Sequence, residues 1–190
     1  MKVKRYMRIL GIDDGPFDKF KDRGKNVLVV GTVFRGGEYL DGIVSTKVRI
    51  DGRNATDKLI EMINKSKFKV QLRVVMLDGI ALGGFNVVDV EELWKKTGIP
   101  VVVVMRKYPD FAELFRALDK LGMGWKKKLI EKAGEPVKIG RLYVQSKGIG
   151  LNDVGKVLKL CCRRSVIPEP IRVAHIIASG VVLGESKGGA

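Results

Sequence analysis

The sequence predicts an α/β fold: a mixed five-stranded sheet, made of a three-stranded antiparallel meander plus two parallel strands, flanked by helices and followed by a C-terminal β-α-α extension. Three observations carry this. Val- and Ile-rich segments crowd the first third of the chain, two of them joined by the Gly-Gly hairpin signal "RGGE". The apolar spacing then becomes helical in "NATDKLIEMINKS" (54–66). Further on, "IPVVVVM" (99–105) is apolar throughout, as a central strand buried on both faces must be.

The first strand, over 4–12, leads into Asp13 and Asp14, and "NVLVVGTVF" (26–34) and "EYLDGIVSTKVRI" (38–50) complete the meander. The link "DDGPFDKFKDRGK" is long and polar, and long loops beside strand ends often carry function. The helix over 54–66 sets Leu59, Ile60, Met62 and Ile63 on one stripe, with Asn54 or Thr56 as its cap. "VQLRVVMLDG" (70–79) reads as a strand ending at Asp78, and "VDVEELWKKTG" as a short helix stopped by Gly98. After the strand over 99–105 come the helices "DFAELFRALDKLG" and "WKKKLIEKAG", and a late strand, "VKIGRLYVQS". "LNDVGKVLKLCCRR" is a helix, and "EPIRVAHIIASG" forms the last one after Pro168 and Pro170. No repeat or linker interrupts the pattern, so one domain is expected over 1–183, with 184–190 ("GESKGGA") a disordered tail.

With 190 residues, 45% hydrophobic and 30% charged, the chain is long enough for one sizeable core. Its 36 basic residues against 21 acidic give a formal charge of +15, which favours polyanionic partners, nucleic acid before anionic membrane. A cell that uses lysine on all its surfaces is the alternative. Basic residues cluster only in "WKKKLIEK" (125–132) and "CCRRS" (161–165). The two cysteines, Cys161 and Cys162, are adjacent, which suits neither a disulfide nor a zinc site. They read as reduced thiols, at least one of them in the core, of a cytoplasmic protein. No segment has the apolar length to span a bilayer, and a protein neither exported nor membrane-embedded is expected.

Asp13 and Asp78 each end a strand expected near the middle of the sheet, and ligands of mixed α/β sheets sit at the carboxyl ends of strands. If the two strands are parallel neighbours, both carboxylates enter one crevice. Hard cations such as Mg²⁺ take oxygen ligands and are often held by one or two carboxylates plus substrate phosphates. Asp14 is either a further member of such a site or the start of the Asp14-Gly15-Pro16 turn.

Three stretches carry a family resemblance. "LGIDDG", "VVMLDGIAL" with "TGIPVVVVMRK", and "RRSVIPEPIRVAHIIASG" resemble the first strand, the Asp-Gly and Gly-Ile-Pro strands, and the C-terminal segment of endonuclease V. That family has a ribonuclease H-like fold. "GIDDGPF" is similar to the stretch typical of an uncharacterised archaeal family related to it. The resemblance implies a Mg²⁺- or Mn²⁺-dependent nuclease with Asp13 and Asp78 as metal ligands and Asp14 as a third ligand or orienter. It implies also that Arg106, Lys107, Lys147 and Arg172 hold phosphates of DNA or RNA. The departures are specific: no tyrosine wedge, and Ala55 where the family has its catalytic Glu, with Asp51 or Asp57 as substitutes. Arg106 stands for a lysine, Lys147 lies near a lost histidine, and Ala174-His175 replaces Ala-Asp. A catalytically silent nucleic-acid-binding protein on the same fold is therefore the second reading.

His175, the only histidine, is either a packed helical residue or a metal ligand or general base facing the crevice. "LGGFNVVD" (82–89) fits a loop that substrate backbone approaches, or an ordinary loop before a helix. Phe17, Phe20 and Phe85 either stack on bases or cover the core.

Overall fold

The computed structural model describes residues 1–22 and 24–186; residues 187–190 of the expected tail lie outside them. The antiparallel meander is β1 (Arg8–Asp14), β2 (Asn26–Arg35) and β3 (Tyr39–Arg49), followed by α1 (Ala55–Lys65) and β4 (Leu72–Asp78). A short hairpin, β5 (Ala81–Leu82) and β6 (Asn86–Val87), precedes α2 (Val90–Thr97) and β7 (Val101–Met105). Then come α3 (Phe111–Lys120), α4 (Lys127–Ala133), β8 (Val137–Ile139), β9 (Leu142–Lys147), α5 (Leu151–Cys161) and α6 (Glu169–Leu183).

The predicted five strands form one continuous part of a seven-stranded sheet ordered β3-β2-β1-β4-β7-β9-β8. Strands β1, β4 and β7 run parallel, and β9 returns antiparallel to β7. The segment read as one late strand is a hairpin, because Gly140 takes a left-handed φ of 61° and turns β8 back onto β9. The first strand starts at Arg8 rather than residue 4. Pro170 lies inside the first turn of α6, where its missing N–H leaves no helical bond unmade.

Side chains of a strand alternate between faces, and here they feed two cores. Leu10, Ile12, Val75, Leu77, Val101 and Val103 meet α1 and α2 on one face. Ile9, Val74, Met76, Val102 and Val104 meet α5 and the start of α6 on the other. Helix α2 ends as expected at Gly98 in the left-handed conformation, and Asp89 caps its start by accepting from Glu92 N–H at 2.9 Å. Asn54 behaves differently from the expected cap of α1: its Oδ1 accepts from Arg49 N–H and from Asn86 Nδ2, tying β3 to β6.

Helix α6 lies unusually close to β1. A Cβ on Gly11 would fall 2.3 Å from the Pro170 carbonyl carbon, and the buried Thr32 hydroxyl donates to Pro170 O at 2.6 Å. Cys161 is buried and Cys162 half-buried, both as free thiols, and burial pushes the Cys162 thiol up to about 11. No described helix is long and apolar enough to cross a membrane.

Gly11→Ala is expected to lower unfolding free energy by about 1–3 kcal/mol, the range for overpacking a tight contact. Urea denaturation checks it, and a neutral result would show that α6 does not dock rigidly on β1.

Candidate functional site

The pleat decides which side chains share the crevice. Asp13, Asp78 and Arg106 follow Ile12, Leu77 and Met105, which face the α1–α2 core, so all three turn to the α6 side of the sheet. The parallel register pairs Ile12 with Leu77 and Asp78 with Val104, which sets Asp13 beside Asp78 at the carboxyl ends of neighbouring strands. The crevice there holds about 600 Å³ and is lined by both carboxylates together with Asp14, Arg106, Lys107 and His175.

Asp13 is 5% exposed, and its two oxygens are engaged differently. Oδ1 accepts from the Asp14 N–H at 2.9 Å, and Oδ2 lies 2.8 Å from His175 Nδ1. His175 reaches it because α6 buries Ala174 and Ala178 against β2, which leaves the next residue at the crevice. The Arg106 guanidinium is 3.9 Å from Asp78 Oδ2. Burial, then the charges of Asp78 and Asp14, push the Asp13 carboxyl up to about 8. Burial also raises Asp14 and Asp78, the latter opposed by Arg106 and His175. A crevice that raises three carboxyls in this way favours whatever positive charge enters it.

Asp14 does not share the Asp13 face. As the next residue of the strand it points the other way, and its Oδ2 accepts from the Gly83 N–H at 2.8 Å. It anchors the loop after β4. Gly83 and Gly84 both take left-handed φ, 60° and 79°, so the two glycines serve the turn. Asp51 anchors the same loop by accepting from Phe85 N–H at 2.9 Å. A third anchor was not legible in the basic cluster: Lys126, 1% exposed, donates from Nζ to the carbonyls of Asp51, Gly52 and Phe85 at 2.9, 2.9 and 2.5 Å. Burial lowers its pKa.

The other expected residues divide. Lys107 lines the crevice. Lys147 does not reach it: it pairs with Val101, at the opposite end of β7, because β9 runs antiparallel. Arg172 is engaged with Glu169, the shortest of its contacts 2.6 Å, and does not line the crevice. Asp57 is exposed on α1, and Ala55 is buried with its N–H bonded to Asn86 Oδ1, so neither brings a carboxylate to the crevice. Phe17 packs on the core, Phe85 joins the smaller cluster with α3 and α4, and Phe20 stands 94% exposed. Among the described residues no three His, Cys, Asp or Glu groups converge with metal-ligand spacing.

A family model described as endonuclease dU matches residues 5–182. The chain belongs to the endonuclease dU family. UPF0215 proteins of Methanothermobacter thermautotrophicus and Pyrococcus horikoshii are 50% and 45% identical to it, over 100% and 98% of this chain and 94% and 97% of theirs. A crystal structure of a protein of unknown function from Archaeoglobus fulgidus is similar at TM-score 0.84 and 42% identity, covering 92% of this chain and 97% of that one. Endonuclease V of Streptomyces avermitilis matches at TM-score 0.60 and 13% identity, over 93% of this chain and 82% of its own. Endonuclease V of Ciona intestinalis, in complex with inosine-containing DNA, matches at 0.55 and 16%, over 89% and 82%. This endonuclease dU relative therefore has the endonuclease V fold, the ribonuclease H-like fold expected from its motifs.

With cations chelated, Asp13→Asn is expected to raise the melting temperature by several degrees at pH 8 and little at pH 4. A carboxyl whose pKa is raised on folding keeps a proton that the unfolded chain releases, so wild-type stability falls as pH rises from about 4 to about 8. Equal shifts at both pH values in thermal melts would contradict the raised pKa.

Proposed function

We propose that this protein is a divalent-cation-dependent endonuclease that hydrolyses a phosphodiester of nucleic acid in the crevice between β1, β4 and β7. The observation that carries the reading is the convergence of Asp13, Asp78 and His175 at the carboxyl ends of parallel central strands, with the Asp13 carboxyl raised by burial and by its acidic neighbours. The endonuclease dU family description supports DNA containing deoxyuridine as the substrate, and the inosine-containing DNA on the Ciona intestinalis neighbour supports deaminated bases more broadly.

The donor set fits a hard cation such as Mg²⁺ or Mn²⁺: two carboxylates, a crevice wide enough for a hydrated ion, and space for substrate phosphate to complete the coordination. When bound, the cation supplies the electrophile that polarises a phosphoryl oxygen. Asp13 and Asp78 hold it. Arg106 and Lys107, on the crevice wall, neutralise the phosphate backbone and set the strand in place. His175 stands in the crevice where a side chain could take or give a proton, and its contact with Asp13 fixes which nitrogen faces the carboxylate. Asp14 acts indirectly, by holding the loop that forms the neighbouring wall.

Binding without cleavage is the second reading, and one observation favours it. Asp14 and Asp51 are both committed to backbone N–H groups, and the resemblance to endonuclease V sets the buried Ala55 where that family has its catalytic Glu. Incubation with duplexes carrying one deoxyuridine or inosine, with Mg²⁺ or Mn²⁺, separates the two. The expected result is cleavage by the wild type, loss of it in Asp78→Asn with DNA affinity kept, and a loss of about 100-fold in His175→Ala. DNA binding with no cation-dependent cleavage of either duplex would establish the second reading.

A further inference from the structure

The end of the sheet opposite the crevice carries a second concentration of charge. We propose that this end is a binding site for single-stranded nucleic acid, separate from the crevice, in which basic side chains hold phosphates and two tyrosines stack on bases.

The site is a basic cradle of about 450 Å³ at the amino ends of β1 and β4, lined by Lys2, Lys4, Arg5, Arg8 and Arg73 with Tyr6, Met7 and Gln71. No carboxylate lines it, in contrast with the crevice. Two acids at this end of the sheet, Asp41 and Glu38, are already consumed in holding arginines, and Asp153 holds the Met1 ammonium at 2.7 Å. Asp41 accepts from Arg8 Nε at 2.9 Å and from Arg35 Nε at 2.8 Å, one arginine on each oxygen. Glu38 is shared by Arg5 at 3.2 Å and Arg163 at 2.7 Å. Each pairing fixes a guanidinium while leaving other N–H donors to face outward. Among the described residues no carboxylate pairs with Lys2, Lys4 or Arg73. Their field is therefore uncompensated, and a polyanion is its complement.

The aromatic part distinguishes a strand from a small anion. Tyr6 and Tyr39 are 50% and 53% exposed, an unusual state for large rings at the end of a well-packed sheet. Their centroids are 6.2 Å apart, with Arg5 over one ring at 5.2 Å and Arg35 over the other at 5.5 Å. Rings interleaved with cations form the platform on which bases of a single strand stack while the backbone follows the charge. A duplex keeps its bases stacked on one another and has little use for such rings. Along β1 the cradle's Arg8 lies about 17 Å from Asp13, so the two sites engage different segments of a nucleic acid.

The test uses the full chain with cations chelated, so that cleavage plays no part and the failure of the nuclease reading is seen separately. Anisotropy of a labelled oligothymidylate of about 12 nucleotides is followed against salt. The background is the crevice double variant Arg106→Glu/Lys107→Glu, with circular dichroism as the check on folding. Binding is expected to persist in this background. Adding Lys2→Glu/Lys4→Glu is expected to weaken it about tenfold and flatten the salt dependence by about 1.4 in log–log slope. Tyr6→Ala is expected to weaken it about tenfold without changing that slope. Loss of all binding in the crevice variant alone would overturn the proposal, as would unchanged binding in the Lys2/Lys4 variant. Competition by inorganic tripolyphosphate as effective as that of unlabelled oligonucleotide, or an unaffected Tyr6→Ala variant, would reduce the cradle to a small-anion site and also overturn it.

Discussion

Two carboxylates held side by side in a poorly solvated crevice are the constraint on which the site depends. Left alone, Asp13 and Asp78 would separate or take up protons, because burial raises both and the charge of Asp78 raises Asp13 further. The parallel pairing of β1 with β4 denies them separation, since hydrophobic packing on both faces fixes the register. What remains is to supply positive charge. Arg106 supplies part of it from the end of β7, and His175 bonds to Asp13 from α6.

Much of the remaining structure serves to keep that geometry. Helix α6 must come close enough to β1 for His175 to reach Asp13, and it does so over Gly11, where no side chain intervenes. Thr32 fixes the approach by donating to a carbonyl at the start of the helix. On the other face, Asp14, Asp51 and Lys126 pin the glycine-containing loop after β4 from three directions. Each is a polar group whose burial is compensated by backbone partners, so the loop is held by bonds that a plain turn would lack.

The meander, the parallel strands and the strand-end positions of Asp13 and Asp78 were legible because strand alternation and chain punctuation are local signals. Asp13 and Asp78 close apolar runs, and Gly98 stops α2 where its left-handed conformation requires. Alternation also held the answer to Asp14, since consecutive strand residues face opposite sides, but the following turn obscured whether the strand reached it. Lys147 was misplaced for a different reason. Its strand was visible, yet the direction of β9 against β7 depends on a distant pairing that the segment itself does not encode. Lys126 carries no local signal, being one of three consecutive lysines; only carbonyls contributed by residues 51, 52 and 85 set it apart.

The central claim is that Asp13 and Asp78 share one divalent cation, and calorimetric titration of Mn²⁺ tests it most directly. The titration is done on wild type, Asp13→Asn and Asp78→Asn, each with an uncleavable phosphorothioate oligonucleotide bound so that a phosphate is present to complete the coordination. The account predicts one ion bound per wild-type chain and none in either variant. Variants that bind the ion as the wild type does, or a wild type that binds none with the oligonucleotide in place, would contradict it.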